Sequence, residues 1–382
     1  MTANEVFIIS KPIVPPWNDS GKNIAMAQVT SGNRYSYRVL TTRDFSFPDK
    51  SNIRYDRIYP SGGHFQAGLK QNLKVMAAGL RKKNAEIFHY YFAPNKLSAT
   101  AGRLQRAIAR VNTIQTFSSR PASYDNIGDL IFTDRIIVLS DDTKQNLLQA
   151  GVSPAKVVHI PPGIVPPSPL TPEEITALRH KYGIQNKRMV LFPGDFEFSD
   201  AASLVADAAS SIIRSDDNLV LVFACRAKTE RSANLKQQTI HQLRSLGNQV
   251  RFLDEIDDMP RFVGIADVIV LPQDNMYAKM DIPLVLLEAM AHSIPLVLAD
   301  RGPLAELVGQ TAGLGCRTAG ELAEQTIRIL RTPDLAAEIG TAGNKLIQTT
   351  YNATHMARAV EQLYDEVLIN AVKKRGHEND AQ

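Results

Sequence analysis

The residues best equipped for chemistry gather in Asp281-Ile-Pro-Leu-Val-Leu-Leu-Glu288-Ala-Met-Ala-His-Ser-Ile-Pro-Leu-Val-Leu-Ala-Asp300. The stretch reads as a short loop, a helix and a strand of a parallel sheet. Glu288 falls near the middle of the helical run, flanked by Leu287 and Met290. A carboxylate among apolar neighbours is costly to bury without a partner. Either backbone or a neighbouring helix caps it, or it is reserved for hydroxyl groups of a ligand. Pro283 fits a first helical position, so the N–H groups of Leu284 and Val285 lack intrahelical acceptors. Two cations stand near sheet ends. Lys279 lies in Tyr277-Ala-Lys-Met-Asp281, just before that helix. Arg226 follows the apolar run Leu219 to Ala224, at the edge where open α/β sheets hold ligands. Lys279 reads equally as a solvated loop lysine, and Arg226 as a surface ion pair.

The elements that must position these groups form two successive β/α series. Glu5 to Ile9 is an apolar strand. It is followed by the turn-rich Pro15-Pro-Trp-Asn-Asp-Ser-Gly21-Lys-Asn23 and a helical stretch from about Asn23 to Val29. Strand, glycine loop and helix open a dinucleotide-type unit. There Gly21 either permits close backbone approach to a ligand or merely serves a turn. Tyr37 to Thr41, Glu86 to Phe92 (with His89), Val111 to Phe117 and Arg135 to Ser140 are further apolar runs. Ile160-Pro-Pro-Gly-Ile-Val-Pro-Pro-Ser-Pro169 is a linker, because its prolines can continue neither a helix nor an inner strand. A second series starts at Arg188 and runs through Leu219 to Ala224, Val250 to Leu253, Val268 to Leu271 and Leu296 to Ala299. A long helix from about Ala353 to Val372 closes the chain.

With 382 residues, 44% of them hydrophobic and 21% charged, the chain has ample core for two domains. No apolar run approaches the roughly 18 residues of a membrane span. Cys225 and Cys316 have no metal spacing, and the first ten residues lack the pattern of a secretory signal. A cytoplasmic protein is therefore expected. The net charge of +4 hides an asymmetry. Residues 1–185 carry 23 Lys and Arg against 13 Asp and Glu, and residues 186–382 carry 20 against 26. Arg103, Arg106 and Arg110 recur at helical spacing, and Lys70, Lys74 and Arg81-Lys-Lys83 follow a similar rhythm. Such faces are either solvated or dock on anionic lipid or a phosphorylated acceptor. Aromatics are not interleaved with them, which argues against nucleic acid.

The segment around Glu288 resembles the C-terminal signature of GT-B glycosyltransferases of family 4, roughly E-G-F-G/P-L-x-x-x-E-A-M-A-x-G-x-P-V-V-A. Three collinear passages extend the resemblance. Ile136-Ile-Val-Leu-Ser140 through Ile160-Pro-Pro-Gly163 is similar to A-V-S-x-x-x-K/R…I-P-N-G-V/I. Ala266-Asp267-Val-Ile-Val-Leu-Pro272 is similar to A-D-V-x-x-x-P-S, and Arg301-Gly-Pro-Leu-Ala-Glu306-Leu-Val to the downstream G-x-x-E-x-V turn.

The resemblance implies a GT-B fold, two Rossmann-like domains facing each other across a cleft. Residues 1–170 would form the acceptor domain and 171–354 the donor domain, with the final helix, about 355–382, packing back on the first. It further implies a retaining hexosyltransferase in bacterial surface polysaccharide synthesis. The donor would be a nucleotide-sugar cosubstrate and the acceptor a glycan or lipid-linked sugar, with no cofactor, no metal and no protein nucleophile. Glu288 would hold the donor ribose. The amides of Leu284 and Val285, with Gly21 and Lys279, would hold the diphosphate. His89 resembles a histidine that family members have on the N-terminal side of the cleft, and would contact donor sugar or acceptor. Two departures stand out. The first signature Glu is replaced by Met280, with Asp281 left to take part of its role. The family's diphosphate-gripping Arg and Lys are replaced by Asp195 and Asp200, which would repel phosphate. Asp195 would instead hold Lys279 or a donor hydroxyl, and Arg226 is a second substitute cation. A catalytically inactive relative serving as a binding or scaffold subunit is the alternative.

Overall fold

The computed structural model describes residues 4–17, 19–45, 50–60, 74–75, 77–78 and 85–380. Its contacts divide the chain into two units. The first comprises Met1–Val165, Ala278–Met280 and Asn352–Gln382, and the second Pro166–Tyr277 and Asp281–Tyr351.

The first unit is built on β1 (Glu5–Ile9), α1 (Ser20–Ser31), β2 (Ser36–Thr42), β3 (Ile53–Tyr59), β4 (Ala85–Tyr91), α2 (Lys96–Ala109), β5 (Asn112–Thr116), β6 (Arg135–Val138) and β7 (Val157–His159). Its strands form one parallel sheet in the order β3-β2-β1-β4-β5-β6-β7. The order reverses between β1 and β4, as in a doubly wound sheet. α1 starts at Ser20 rather than near Asn23, because the Asp19 carboxylate caps it by accepting from the Lys22 amide at 3.2 Å.

The second unit repeats the plan with β8 (Arg188–Phe192), α3 (Ala201–Arg214), β9 (Leu219–Ala224), β10 (Val250–Leu253), β11 (Val268–Leu271), α4 (Leu284–Ala291), β12 (Leu296–Ala299) and β13 (Gly313–Cys316). The parallel order is β10-β9-β8-β11-β12-β13. A parallel sheet covered on both faces needs strands that are apolar throughout. Met-Val-Leu-Phe of β8, Leu-Val-Leu-Val-Phe of β9 and Val-Ile-Val-Leu of β11 meet that need and are buried. α3 buries Ala202, Val205, Ala209 and Ile212 at helical spacing. Asp267 pins the start of β8, its Oδ2 accepting from the Met189 amide at 2.7 Å and from Arg179 Nη2 at 3.1 Å.

The chain re-enters the first unit at Asn352. Ile164 and Asn352 form a parallel bridge, and the Ala353 amide donates to the Ile164 carbonyl at 2.9 Å. α5 (Ala353–Asp380) then runs longer than the apolar pattern to Val372 predicts. Glu361, 2% exposed, fastens it. Its Oε1 accepts from the Asn33 amide at 2.9 Å, the Arg34 amide at 3.0 Å and the Tyr37 hydroxyl at 2.8 Å. The amides just past the end of α1 are thereby satisfied by a carboxylate from the far end of the chain. Among the described residues no helix is long and apolar enough to cross a membrane.

Candidate functional site

In the second unit the strand order reverses between β8 and β11, so the loops leaving those strands mark its ligand-binding edge. The first of these loops contains Asp195. Its Oδ1 accepts from the amides of Glu197 at 2.8 Å and Phe198 at 2.6 Å. The carboxylate therefore folds its own loop and occupies amides that an anion would otherwise use. Asp200 is exposed at the start of α3 and caps nothing with its side chain.

The loop after β11 is fixed by Arg301, whose Nε lies 2.7 Å from Asp274 Oδ2. Gly302, at φ +65, lets the Arg301 turn approach. A Cβ there would lie 2.8 Å from the Asp274 carbonyl oxygen. Gln273 is buried, and its Nε2 donates to the Asn275 carbonyl at 2.9 Å. Further along, Asp281 is 4% exposed and Ile282 is buried.

α4 follows. Pro283 is its capping residue rather than its first helical one, with φ −57 and ψ 135, and it offers no side-chain cap. The Leu286 amide bonds back to the Pro283 carbonyl at 3.0 Å. Leu284 and Val285 thus supply the leading amides at the positive end of the helix.

One turn further on, Glu288 is partly buried on a helix whose other faces carry buried Leu286, Leu287 and Met290. Among the described residues its carboxylate makes no hydrogen bond or ion pair. Burial pushes its pKa up to about 7, and the nearby Asp258 carboxylate adds to the rise. Asp258 is held as the cap of the short helix Met259–Val263, accepting from the Arg261 amide at 3.3 Å. A carboxyl poised near neutrality and lacking a partner among the described residues is equipped to meet ligand hydroxyls.

Arg226 pairs with Glu255 at 3.6 Å near the end of β9. Met280, in place of the signature carboxylate, is buried and apolar. Lys279 groups with the first unit. Its carbonyl accepts from the Arg120 amide at 2.8 Å, and the Ala278 amide donates to the Arg120 carbonyl at 3.1 Å. Gly21 is the second residue of α1, and a Cβ there would lie 3.0 Å from Ser118 Oγ. Close packing of α1 on the loop after β5 accounts for this glycine, and the Asp19 carboxylate already occupies the helix start.

His89 calls for a correction. β4 continues two residues past it, so it sits inside the sheet and is fully buried. Its Nδ1 lies 2.7 Å from the Tyr364 hydroxyl and its Nε2 2.8 Å from Thr116 Oγ1. Gln28 Nε2 donates to the same Tyr364 oxygen at 2.7 Å, so Tyr364 donates to Nδ1 and Nε2–H donates to Thr116. Burial lowers the His89 pKa to about 3. Both nitrogens are engaged and the ring is neutral, so His89 ties α5 to the sheet and has no nitrogen left for substrate.

Sequence reasoning missed Asp258, thirty positions from Glu288, and the Arg301–Asp274 pair. Nothing in local pattern relates such distant charges. Of the basic stretches, Lys70 and Arg81-Lys-Lys83 lie outside the described residues.

Residues 187–332 match the family profile described as "Glycosyl transferases group 1". Over 359 residues the chain is 22% identical to "Putative glycosyltransferase YtcC" of Bacillus subtilis (strain 168), covering 88% of this chain and 84% of that protein. Among solved structures it is similar to sucrose-phosphate synthase of Thermosynechococcus elongatus, with a TM-score of 0.73, 19% identity, and coverage of 96% of this chain and 100% of that one. It is also similar to Anabaena Alr3699/HepE in complex with UDP-glucose, with a TM-score of 0.72, 15% identity, and coverage of 95% and 99%. The two parallel Rossmann-like sheets are those of the GT-B fold.

Proposed function

We propose that this glycosyltransferase, a GT-B chain whose residues 187–332 form a group 1 domain, moves a hexose from a nucleoside-diphosphate sugar to a glycan or lipid-linked acceptor with retention of configuration. The observation that carries the reading is the Glu288 carboxyl. It is unpartnered among the described residues, raised to about 7, and borne by the helix whose N-terminus lacks a side-chain cap. Ionised Glu288 would accept from the ribose hydroxyls. The Leu284 and Val285 amides would receive the diphosphate, where charge grows as the sugar leaves. Lys279, two positions before Asp281 in the chain, would supply the cation that Asp195 and Asp200 do not, with Arg226 in reserve. Asp281 would take part of the sugar-binding role vacated at Met280. In the transfer, the acceptor oxygen bonds to the anomeric carbon as the carbon–phosphate-oxygen bond breaks. The departing diphosphate takes the acceptor's proton on the same face. A bacterial surface polysaccharide is the product class proposed, made on the cytoplasmic side of the membrane.

A second reading is favoured by a specific feature. Asp195 fills two loop amides and Met280 offers no hydrogen bond, as in a chain that keeps the scaffold of a transferase without its donor chemistry. Calorimetry with UDP, GDP, ADP and their glucose conjugates separates the two. HepE was solved with UDP-glucose, which makes the uridine pair the first to try. Binding of one nucleotide, abolished by Glu288→Ala and weakened by Lys279→Ala, is expected. A folded protein that binds none of them would overturn the transferase reading in favour of the scaffold.

A further inference from the structure

Among the described residues, Tyr277 is the one large hydrophobic that the second unit leaves exposed, at 41%. Every other exposed large hydrophobic, from Trp17 to Val372, belongs to the first unit. A single surface aromatic is unremarkable by itself. This one stands in the loop leaving β11, at the edge where the strand order of the second sheet reverses. It is also held in place. Asp274 pairs with Arg301, Gln273 donates to the Asn275 carbonyl, and Asn275 Oδ1 accepts from the Tyr277 amide at 3.0 Å. Met276 beside it is fully buried. After it, Ala278 stands at φ +59, a left-handed conformation that a residue with a Cβ rarely takes. The loop therefore anchors one neighbour in the core and bends sharply at the other, while the ring between them stays out.

The second loop of the same edge supplies a partner ring. Phe198, in the loop leaving β8, meets Tyr277 edge to face, with centroids 6.2 Å apart and planes at 68°. Asp195 places it, because its Oδ1 accepts from the Phe198 amide at 2.6 Å. The carboxylate that stands where the resembled family carries a cation thus builds the turn that brings an aromatic ring to the ligand edge. An edge-to-face contact leaves ring face uncovered, and Tyr277 is the more exposed of the two.

The C–H groups on one side of a pyranose make an apolar face that suits the electron-rich face of an aromatic ring. With the ribose at Glu288 and the diphosphate at the amides opening α4, the donor continues past the helix start toward the loop that precedes it. The hexose lies on that side, the base on the other. We infer that Tyr277, backed by Phe198, is a platform on which the pyranose ring of the donor hexose stacks. The inference rests on the nucleotide-sugar reading and adds to it a residue that reads the sugar and not the nucleotide. An acceptor sugar offers the same C–H face, so the test separates the two sources.

The test is calorimetry of the full chain with UDP, GDP, ADP and their glucose conjugates, and with UDP-galactose and UDP-N-acetylglucosamine. Saturation-transfer NMR with methyl α-D-glucopyranoside and methyl α-D-galactopyranoside forms a second arm. Tyr277→Ala should weaken one sugar nucleotide by about fivefold to tenfold while the bare nucleotide stays within about twofold. Tyr277→Phe, which keeps the ring, should stay within about threefold of wild type for both. Tyr277 is exposed, so both variants should fold, and circular dichroism verifies it. Unchanged sugar-nucleotide affinity with loss of transfer to a free glycoside assigns the platform to the acceptor's ring and overturns the donor assignment. Equal weakening of nucleotide and conjugate overturns the proposal, since Tyr277 then touches the nucleotide. Intact nucleotide binding with both sugar arms unmoved by Tyr277→Ala condemns the platform alone. A wild type that binds no nucleotide, yet shows glycoside transfer that Tyr277→Ala abolishes, condemns the transferase reading alone. Silence of the wild type in both arms overturns both.

Discussion

Burial acts in opposite directions on Glu288 and His89, and pH separates them. Glu288 is raised from 4.5 to about 7. The folded state therefore holds its proton more tightly than the unfolded chain, so stability is undiminished below pH 4.5 and declines as pH rises through 7. Glu288→Gln removes that decline. Urea unfolding at pH 8 should show a gain of about 2 kcal/mol, reduced from the full shift because the side chain is only partly buried. At pH 4 the gain should vanish. Nucleotide affinity should drop as pH falls below 7, because the protonated carboxyl accepts hydroxyl hydrogen bonds poorly. His89 is lowered from 6.5 to about 3, so its contribution is complete above 6.5 and is lost as pH falls toward 3. His89→Ala leaves Tyr364 and Thr116 facing a cavity and should cost about 3 kcal/mol. Nucleotide affinity should stay within about twofold of wild type, since a change there of under half a kcal/mol is what a remote cavity transmits. A large loss of affinity at unchanged stability would return His89 to the ligand site. The sequence made Glu288 legible because a carboxylate between Leu287 and Met290 contradicts its surroundings. It made His89 misleading, because a histidine in the run Glu86 to Phe92 resembles the family's cleft histidine, whereas the structure buries it inside β4.

At the scale of elements, the second unit was the more readable. β8, β9, β11 and β12 are unbroken apolar runs, which parallel strands buried on both faces require. β13, Gly-Leu-Gly-Cys, carries no such run and owes its place to pairing along β12. β3 buries Ile53 and Tyr59 at its two ends and exposes Arg54 and Arg57 between them at the sheet edge, a pattern too charged and too irregular to stand out. The loop after β8 shows a different limit. Two aspartates announce the loss of the family's cations, but not that Asp195 turns back onto the amides of Glu197 and Phe198. α5 was legible as a long helix, but its fastening was not. Glu361 serves groups more than 320 positions away. Glu361→Ala would strand two amides and a phenol and should cost about 3 kcal/mol. The denaturant midpoint should fall accordingly, and amide exchange should quicken at Asn33 and Arg34. Normal exchange there would mean that α5 is held by apolar packing alone.

For the whole molecule, the decisive feature is that the second unit is threaded between two parts of the first. The outgoing chain at Ile164 and the returning chain at Asn352 lie paired, and the first unit is completed by α5, which follows the whole second unit in the chain. Deleting residues from Asn352 onward should leave the second unit resistant to protease. The first should become susceptible, with Gln28, Tyr37 and His89 stripped of Tyr364 and Glu361. Mass analysis of the fragments reads this directly, and equal resistance of both halves would refute it. On the ribosome the same threading sets a schedule. The first half to emerge must wait, with its polar interior open, through the synthesis of nearly two hundred further residues, while the half made later can finish first. A chain built this way depends on whatever shelters the residues before Val165 during translation, and slowing elongation should cost it yield before it costs it activity.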